Sequence, residues 1–218
     1  VAMFPAGFDA DGVLYASTRF GDFPQRVATG KWSSADELFM GWMLLSYRRP
    51  VVASSTRDSF PASRVTDENP RTYWVAGSNT PGQTLTVDLG RAFDVRAVQV
   101  NYTDFRNTLF ESDSTVYTTF RLHASLDGRT WTTVADYTRA PRRDRPNAYV
   151  ELDSAVRARW VRWEHGYTAG PHLAVSDLRV FGTGDGTRPR TPAGLAARRD
   201  TDRRNAFISW RPVKGAVG

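Results

Sequence analysis

Cysteine is absent from the 218 residues, which removes disulfides, thiol nucleophiles and cysteine-ligated zinc together. Lysine is scarce: of the 29 basic residues only Lys31 and Lys214 are lysines, leaving 27 arginines. Histidine is confined to His123, His165 and His172, and no G-x-S-x-G occurs, so serine catalysis has no motif behind it. No apolar run reaches the roughly 18 residues that a membrane-spanning helix requires. The longest cluster, LFMGWMLL at 38–45, is too short. Helical periodicity is missing as well, because no segment keeps apolar residues at i, i+3, i+4 and i+7 through three turns. The nearest candidate is SADELFMGWML at 34–44. Its Ser34 and Glu37 resemble a capping box, yet Gly41 interrupts it, and its assignment stays open.

The net charge is +6, a sign that suits phosphate binding. The arginines, however, are spread through alternating segments. Their only clusters, RRDR at 142–145 and RRDTDRR at 198–204, are interrupted by aspartate and read as solvated loop faces. Base-stacking motifs are missing too, so neither a nucleic-acid nor a membrane partner is expected.

What is present is a folded composition, 40% hydrophobic and 12% aromatic with seven tryptophans. Period-two alternation recurs in LTVDLG (85–90), VRAVQVNY (95–102), TTFRLHASLDG (118–128), TWTTVADY (130–137), AYVELD (148–153), ARWVRWEH (158–165) and LRVFG (178–182). Short alternating strands with turns about every ten residues predict an antiparallel all-β sandwich. Asp127-Gly128 joins two of them as a hairpin turn. Before this region, residues 1–47 are apolar and aromatic with turn signals at AGFDADG and RFGDFP. After it, GTGDGTRPR at 183–191 reads as a linker, and 192–218 restarts as a new unit.

From Pro50 onward the motifs PVVASST, FPASRVTDENPRTYW, GQTLTVDLG, VRAVQV, FRLHASLDGRTWTTV, ARWVRWEH and LAVSDLRVFG resemble, in order, the discoidin or factor V/VIII type C domain, close to carbohydrate-binding module family 32. The resemblance implies a jelly-roll sandwich over 48–182. The flanks are similar to the C-terminal end of a glycoside hydrolase family 43-like propeller (1–47) and to the start of a fibronectin type III domain (192–218). Together these imply a middle piece of a secreted bacterial glycosidase of the arabinosidase or xylosidase class, extracellular and acting on polysaccharide.

In the resembled family the turn matching TDENPRTYW holds a structural calcium ion. Carried over, Asp67 would supply a carboxylate oxygen, Asn69 a carbonyl or amide oxygen, Thr72 its hydroxyl and carbonyl, and Arg64 a backbone carbonyl. Such an all-oxygen set is what hard Ca²⁺ takes. Asp177 stands where the family has a closing glutamate and is one methylene shorter. Glu68 stands where the family has glycine, so either it points outward or the turn is altered. An Asx turn capped by Asp67, with no metal, explains the same residues.

The family's sugar sits on loops at one end of the sandwich. Here these are YTDFRNTLFESDSTVY (102–117) and EHGYTAGPH (164–172), with Tyr102, Asp104, Phe105, Arg106, Tyr167 and His172 as ligand candidates and Leu109-Phe110 as the one visible apolar spike. A glycosidase needs two carboxyls flanking one bond. Asp58, Asp67, Glu68, Asp104, Glu111, Asp113 and Glu164 offer no such pairing by spacing, so no catalytic residue is expected. A rival function is a sandwich that only buttresses the propeller, to which SYRRP would join it without slack.

Overall fold

The computed structural model describes residues 6–8, 11–16, 23–26, 38–107, 115–184, 190–199, 201 and 205–213. The chain divides into two units, Val1–Gly184 and Asp185–Gly218. In the first, strands β1 (Ala6–Phe8) and β2 (Leu14–Ala16) form a hairpin. Then follow β3 (Met43–Leu44), β4 (Val51–Ala53), a 3-10 helix (Ala62–Thr66), β5 (Trp74–Val75), β6 (Thr84–Tyr102), β7 (Thr118–Ser125), β8 (Thr132–Asp136), β9 (Asn147–Thr168) and β10 (Ala174–Thr183). In the second unit, β11 (Ala196–Arg199) and β12 (Ala206–Ser209) pair antiparallel as an exposed hairpin. Among the described residues no helix is long and apolar enough to cross a membrane.

The expected all-β antiparallel sandwich is present, built from fewer and longer strands than the alternation suggests. LTVDLG and VRAVQVNY fuse into the 19-residue β6, and AYVELD and ARWVRWEH into the 22-residue β9. Each passes from one layer to the other. The first half of β6 pairs with β4 and with the second half of β9, which in turn pairs with β7. The second half of β6 pairs with β10 and with the first half of β9. Between the halves Gly90 takes φ +85, and the register of β6 against β9 shifts between Asp88 and Phe93 and again between Val95 and Ala97.

The second shift explains the burial pattern. Inward positions run 85, 87, 89, 93 and 95, then move to 98 and 100, because a bulge exchanges the two faces of a strand. Leu85, Val87, Phe120, Leu122, Val161 and Trp163 from one layer thus meet Val98, Val100, Val150, Leu178 and Val180 from the other in a single core. Ala97 faces the opposite way and joins Leu44 and Phe181, with Phe23, Trp42 and Tyr47 packed against them. This cover makes β10 buried along nearly its whole length. Residues 38–44, the described part of the undecided helical stretch, are extended: Gly41 takes φ +76, and Met43–Leu44 pair with β10.

Candidate functional site

At one end of the sandwich β6 runs out into residues 103–107, and β9 into 169–173. Residues 115–117 lead into β7, and 137–146 connect β8 to β9. Backbone bonds tie these together: Tyr102 N donates to the Pro146 carbonyl at 2.8 Å, Thr118 N to Arg143 at 3.1 Å, and Thr103 N to Ala174 at 3.2 Å. The result is a cleft of ≈ 170 Å³ bordered by Tyr102, Asp104, Phe105, Tyr117, Asp144 and His172, among others.

Four of the six candidate ligand residues border this cleft, in different roles. Tyr102 turns into the core, its ring 6.0 Å from that of Trp163. Its hydroxyl is buried beside the Trp163 indole, and burial pushes its pKa far up, against a smaller opposing effect of Trp163. Phe105 is 8% exposed and packs with Val75, Ala174, Phe60 and Tyr73. The guanidiniums of Arg57 and Arg106 lie 5.6 and 5.3 Å from its ring, so Phe105 is a support for the loop rather than an open stacking platform. His172 Nδ1 lies 3.2 Å from Arg57 Nη1. Arginine only donates, so Nδ1 accepts and the ring proton sits on Nε2. Asp104 is exposed at the rim.

Arg106 and Tyr167 act one layer back. Arg106 holds φ +50 and lies over Phe105. The Tyr167 hydroxyl donates to the Thr115 carbonyl at 3.1 Å, and its ring stacks on Tyr117 at 4.2 Å. Tyr117, Thr118, Asp144 and Pro146 are lining residues that no sequence signal marked. Asp144 lies in RRDR, which reads as a charged loop until Thr118 and Tyr102 are seen bonded to it. Leu109 and Phe110 lie outside the described residues.

The TDENPRTYW bend closes on its own groups. Asp67 Oδ1 accepts from Asn69 N at 2.9 Å and Oδ2 from the Thr72 hydroxyl at 2.7 Å, while the Asn69 carbonyl accepts from Thr72 N at 3.0 Å. Trp74 is fully buried behind it, its Nε1 donating to the Ser55 carbonyl at 3.1 Å. Of the two alternatives for Glu68, it does not simply point outward: it takes φ +58 and binds Arg179 of β10 with both oxygens, at 3.2 Å (Nε) and 3.0 Å (Nη2). The fork-shaped guanidinium repays the left-handed conformation with a two-point ion pair. Asp177, 8% exposed, accepts from Asn101 at 3.1 Å and Ser176 at 2.7 Å.

In donor chemistry the bend offers a hard cation the Asp67 carboxylate, the Asn69 carbonyl and the Thr72 hydroxyl, oxygens that here are engaged by Asn69 N, Thr72 N and one another. Arg64 lies in the 3-10 helix just before it. Among the described residues no group of three or more His, Cys, Asp or Glu side chains converges, so a cation there would draw mostly on carbonyl and hydroxyl oxygens.

Residues 50–168 match the model of the F5/8 type C domain. Among solved structures the fold is shared with chitosan-binding module 1 from the chitosanase/glucanase of Paenibacillus sp. IK-5. That match has 22% identity and a TM-score of 0.53, over 64% of this chain and 99% of that one. It is also shared with the family 32 carbohydrate-binding module of C. perfringens NanJ in complex with galactose, at 23% identity, TM-score 0.51, 64% and 98%. A third is chitosan-binding module 2 of the same Paenibacillus enzyme in complex with chitotriose, at 19% identity, TM-score 0.53, 63% and 99%. No curated protein matches the chain.

Proposed function

The chain belongs to the F5/8 type C domain family, and from that membership and the loop-end cleft we propose that residues 48–182 are a noncatalytic carbohydrate-binding module. The observation that carries this reading is the cleft itself: loops from four places in the chain converge on a concave site with aromatic walls and a few placed polar groups, the usual build of a small-ligand site. Structures of the same fold hold galactose and chitotriose, which supports a sugar here. The proposed setting is a secreted bacterial glycoside hydrolase, family 43-like, with a fibronectin type III domain to follow. In it the module would hold polysaccharide near a catalytic domain. Calcium is proposed as a structural ion at the bend, held by Asp67, Asn69, Thr72 and the Arg64 carbonyl, with Asp177 as the further carboxylate. The ion would supply only a fixed point of charge and coordination.

Calorimetric titration of the full chain with a panel of galactose, arabinose, xylose and glucosamine oligomers tests the reading. At least one should bind, and His172→Ala should weaken it by about tenfold, as loss of one polar contact to a ligand does, with the melting temperature little changed. Absence of binding across the panel would favour the buttress. One observation supports that second reading: Phe23, Trp42, Leu44 and Tyr47 pack on Phe181 and Ala97, so residues before the sandwich are joined to it by apolar contact.

A further inference from the structure

Asp144 and Pro146 border two hollows at once. One is the loop-end cleft; the other is a larger basin of ≈ 400 Å³ formed by β7, the 137–146 connection and the start of β9. Its floor is apolar, with Phe120 fully buried and Ala148 and Val150 each 4% exposed. Tyr137 stacks on Phe120, with 5.0 Å between centroids and 25° between the rings, and Arg145 lies over Tyr137 at 5.2 Å. Arg145 donates in turn to the carbonyls of Thr118, Arg143 and Pro141 at 3.3 to 3.4 Å. This wall is therefore in place before any ligand arrives.

The other wall is an unfinished sheet edge. Residues 147–151 of β9 pair with 97–101 of β6, while β7 pairs only with 160–168, so among the described residues no strand covers the second side of 147–151. Tyr102 N donates to the Pro146 carbonyl. Because an antiparallel ladder alternates the direction of its backbone groups, the N–H and C=O of Asn147 and Tyr149 then face the open side. The side chain of Tyr149 is exposed too, at 43%, as is that of Asn147. A bare edge invites another strand, but this one begins at Pro146 and carries exposed Glu151 and Asp153, residue types that discourage such pairing. What remains is an open aromatic ring, an amide and unpaired backbone groups beside an apolar floor, the build of a small-ligand site.

We propose that this basin is a second glycan-contact site, and that one oligosaccharide lies across the border formed by Asp144 and Pro146, with one unit in the loop-end cleft and a later unit against Tyr149 and Asn147. The proposal rests on the carbohydrate-binding reading and adds that the module recognises a length of chain rather than a single sugar. The shared border favours a glycan over a peptide, since an occupant of the cleft already stands at the basin's rim. The Tyr149 ring takes the apolar face of a pyranose; the Asn147 amide and the edge backbone groups take its hydroxyls, which both donate and accept.

Calorimetric titration of the full chain with galactose, xylose, arabinose and glucosamine, each as the monosaccharide and as the linear pentamer, tests this. A sugar that binds should do so about tenfold more tightly as the pentamer, the gain of one further aromatic contact. Tyr149→Ala should remove that gain and leave the monosaccharide affinity where it was, in a protein whose melting transition shows it folded. Tyr149→Phe, which keeps the ring, should retain most of it. A pentamer affinity that Tyr149→Ala does not move, or a loss equal for monosaccharide and pentamer, would overturn the proposal and leave the sugar-binding reading in place. So would a concentration-dependent dimer in sedimentation that Tyr149→Asp disperses, because the edge would then hold a strand. No binding by any sugar in either form would overturn both.

Discussion

His165 is 1% exposed on β9, and both of its ring nitrogens lack a partner among the described residues. Burial alone pulls its pKa down from 6.5 to about 4, because the core accepts the neutral imidazole and not the cation. Above the unfolded value neither state is protonated and the residue contributes no pH dependence. Below it the unfolded chain gains a proton that the folded chain refuses until about pH 4, so stability falls across that window and levels off beneath it. The loss is on the order of 3 kcal/mol. Urea titrations at stepped pH should reveal this decline, and His165→Phe should flatten it; an unchanged slope in the variant would assign it to other groups. Asp136 acts in the same direction at lower pH: hydrogen bonds from Thr138 lower its pKa from 3.8 to about 2, so its contribution is whole above the unfolded value and is lost as the pH falls from there through the folded one.

The pairing of β10 with β6 is a constraint of the elements rather than of any one side chain. A Cβ at Gly182 would overlap the Asp94 carbonyl and press on Leu45, at the point where the β10 register shifts between Phe181 and Gly182. Gly182→Ala should therefore push the two strands apart and cost about 1–3 kcal/mol, the usual penalty for overpacking. Gly184, whose added Cβ would only touch Phe93 at 3.9 Å, serves as the control; its alanine variant should stay within about 0.5 kcal/mol of the parent. Chemical denaturation midpoints compare the two directly. The long β6–β9 pairing sets the site, since both strands reach both layers and their ends deliver Tyr102 and the 169–173 loop to one cleft.

Across the whole molecule, the bend before Trp74 and strand β10 are joined by the Glu68–Arg179 pair, and calcium at the bend would add a second fixed point. Adding Ca²⁺ after chelation should raise the melting temperature, by about 2–4 °C for each kcal/mol of linked binding in a chain of this size. An identical transition with and without the ion would leave the Asx turn as the complete account of TDENPRTYW. Alternation along LTVDLG or FRLHAS was enough to predict strands and an antiparallel sandwich, because a strand with one buried face must write that face into every second residue. Asp104, Phe105 and His172 were legible as residues of the end loops, and Tyr102 as the end of a strand, for a similar local reason: they sit where alternation stops. What no local pattern carried was the fusion of strands across two layers, which follows from bulges and pairing partners distant in sequence. Nor did it carry the arrival of Asp144 at the cleft that Asp104 borders, or the turning of Arg106, Arg142 and Arg145 onto rings and carbonyls. Strand identity depends on neighbours two residues away and can be read from them. The charge of a cleft depends on which distant loops meet and which way each long side chain is turned, and only the folded chain decides that.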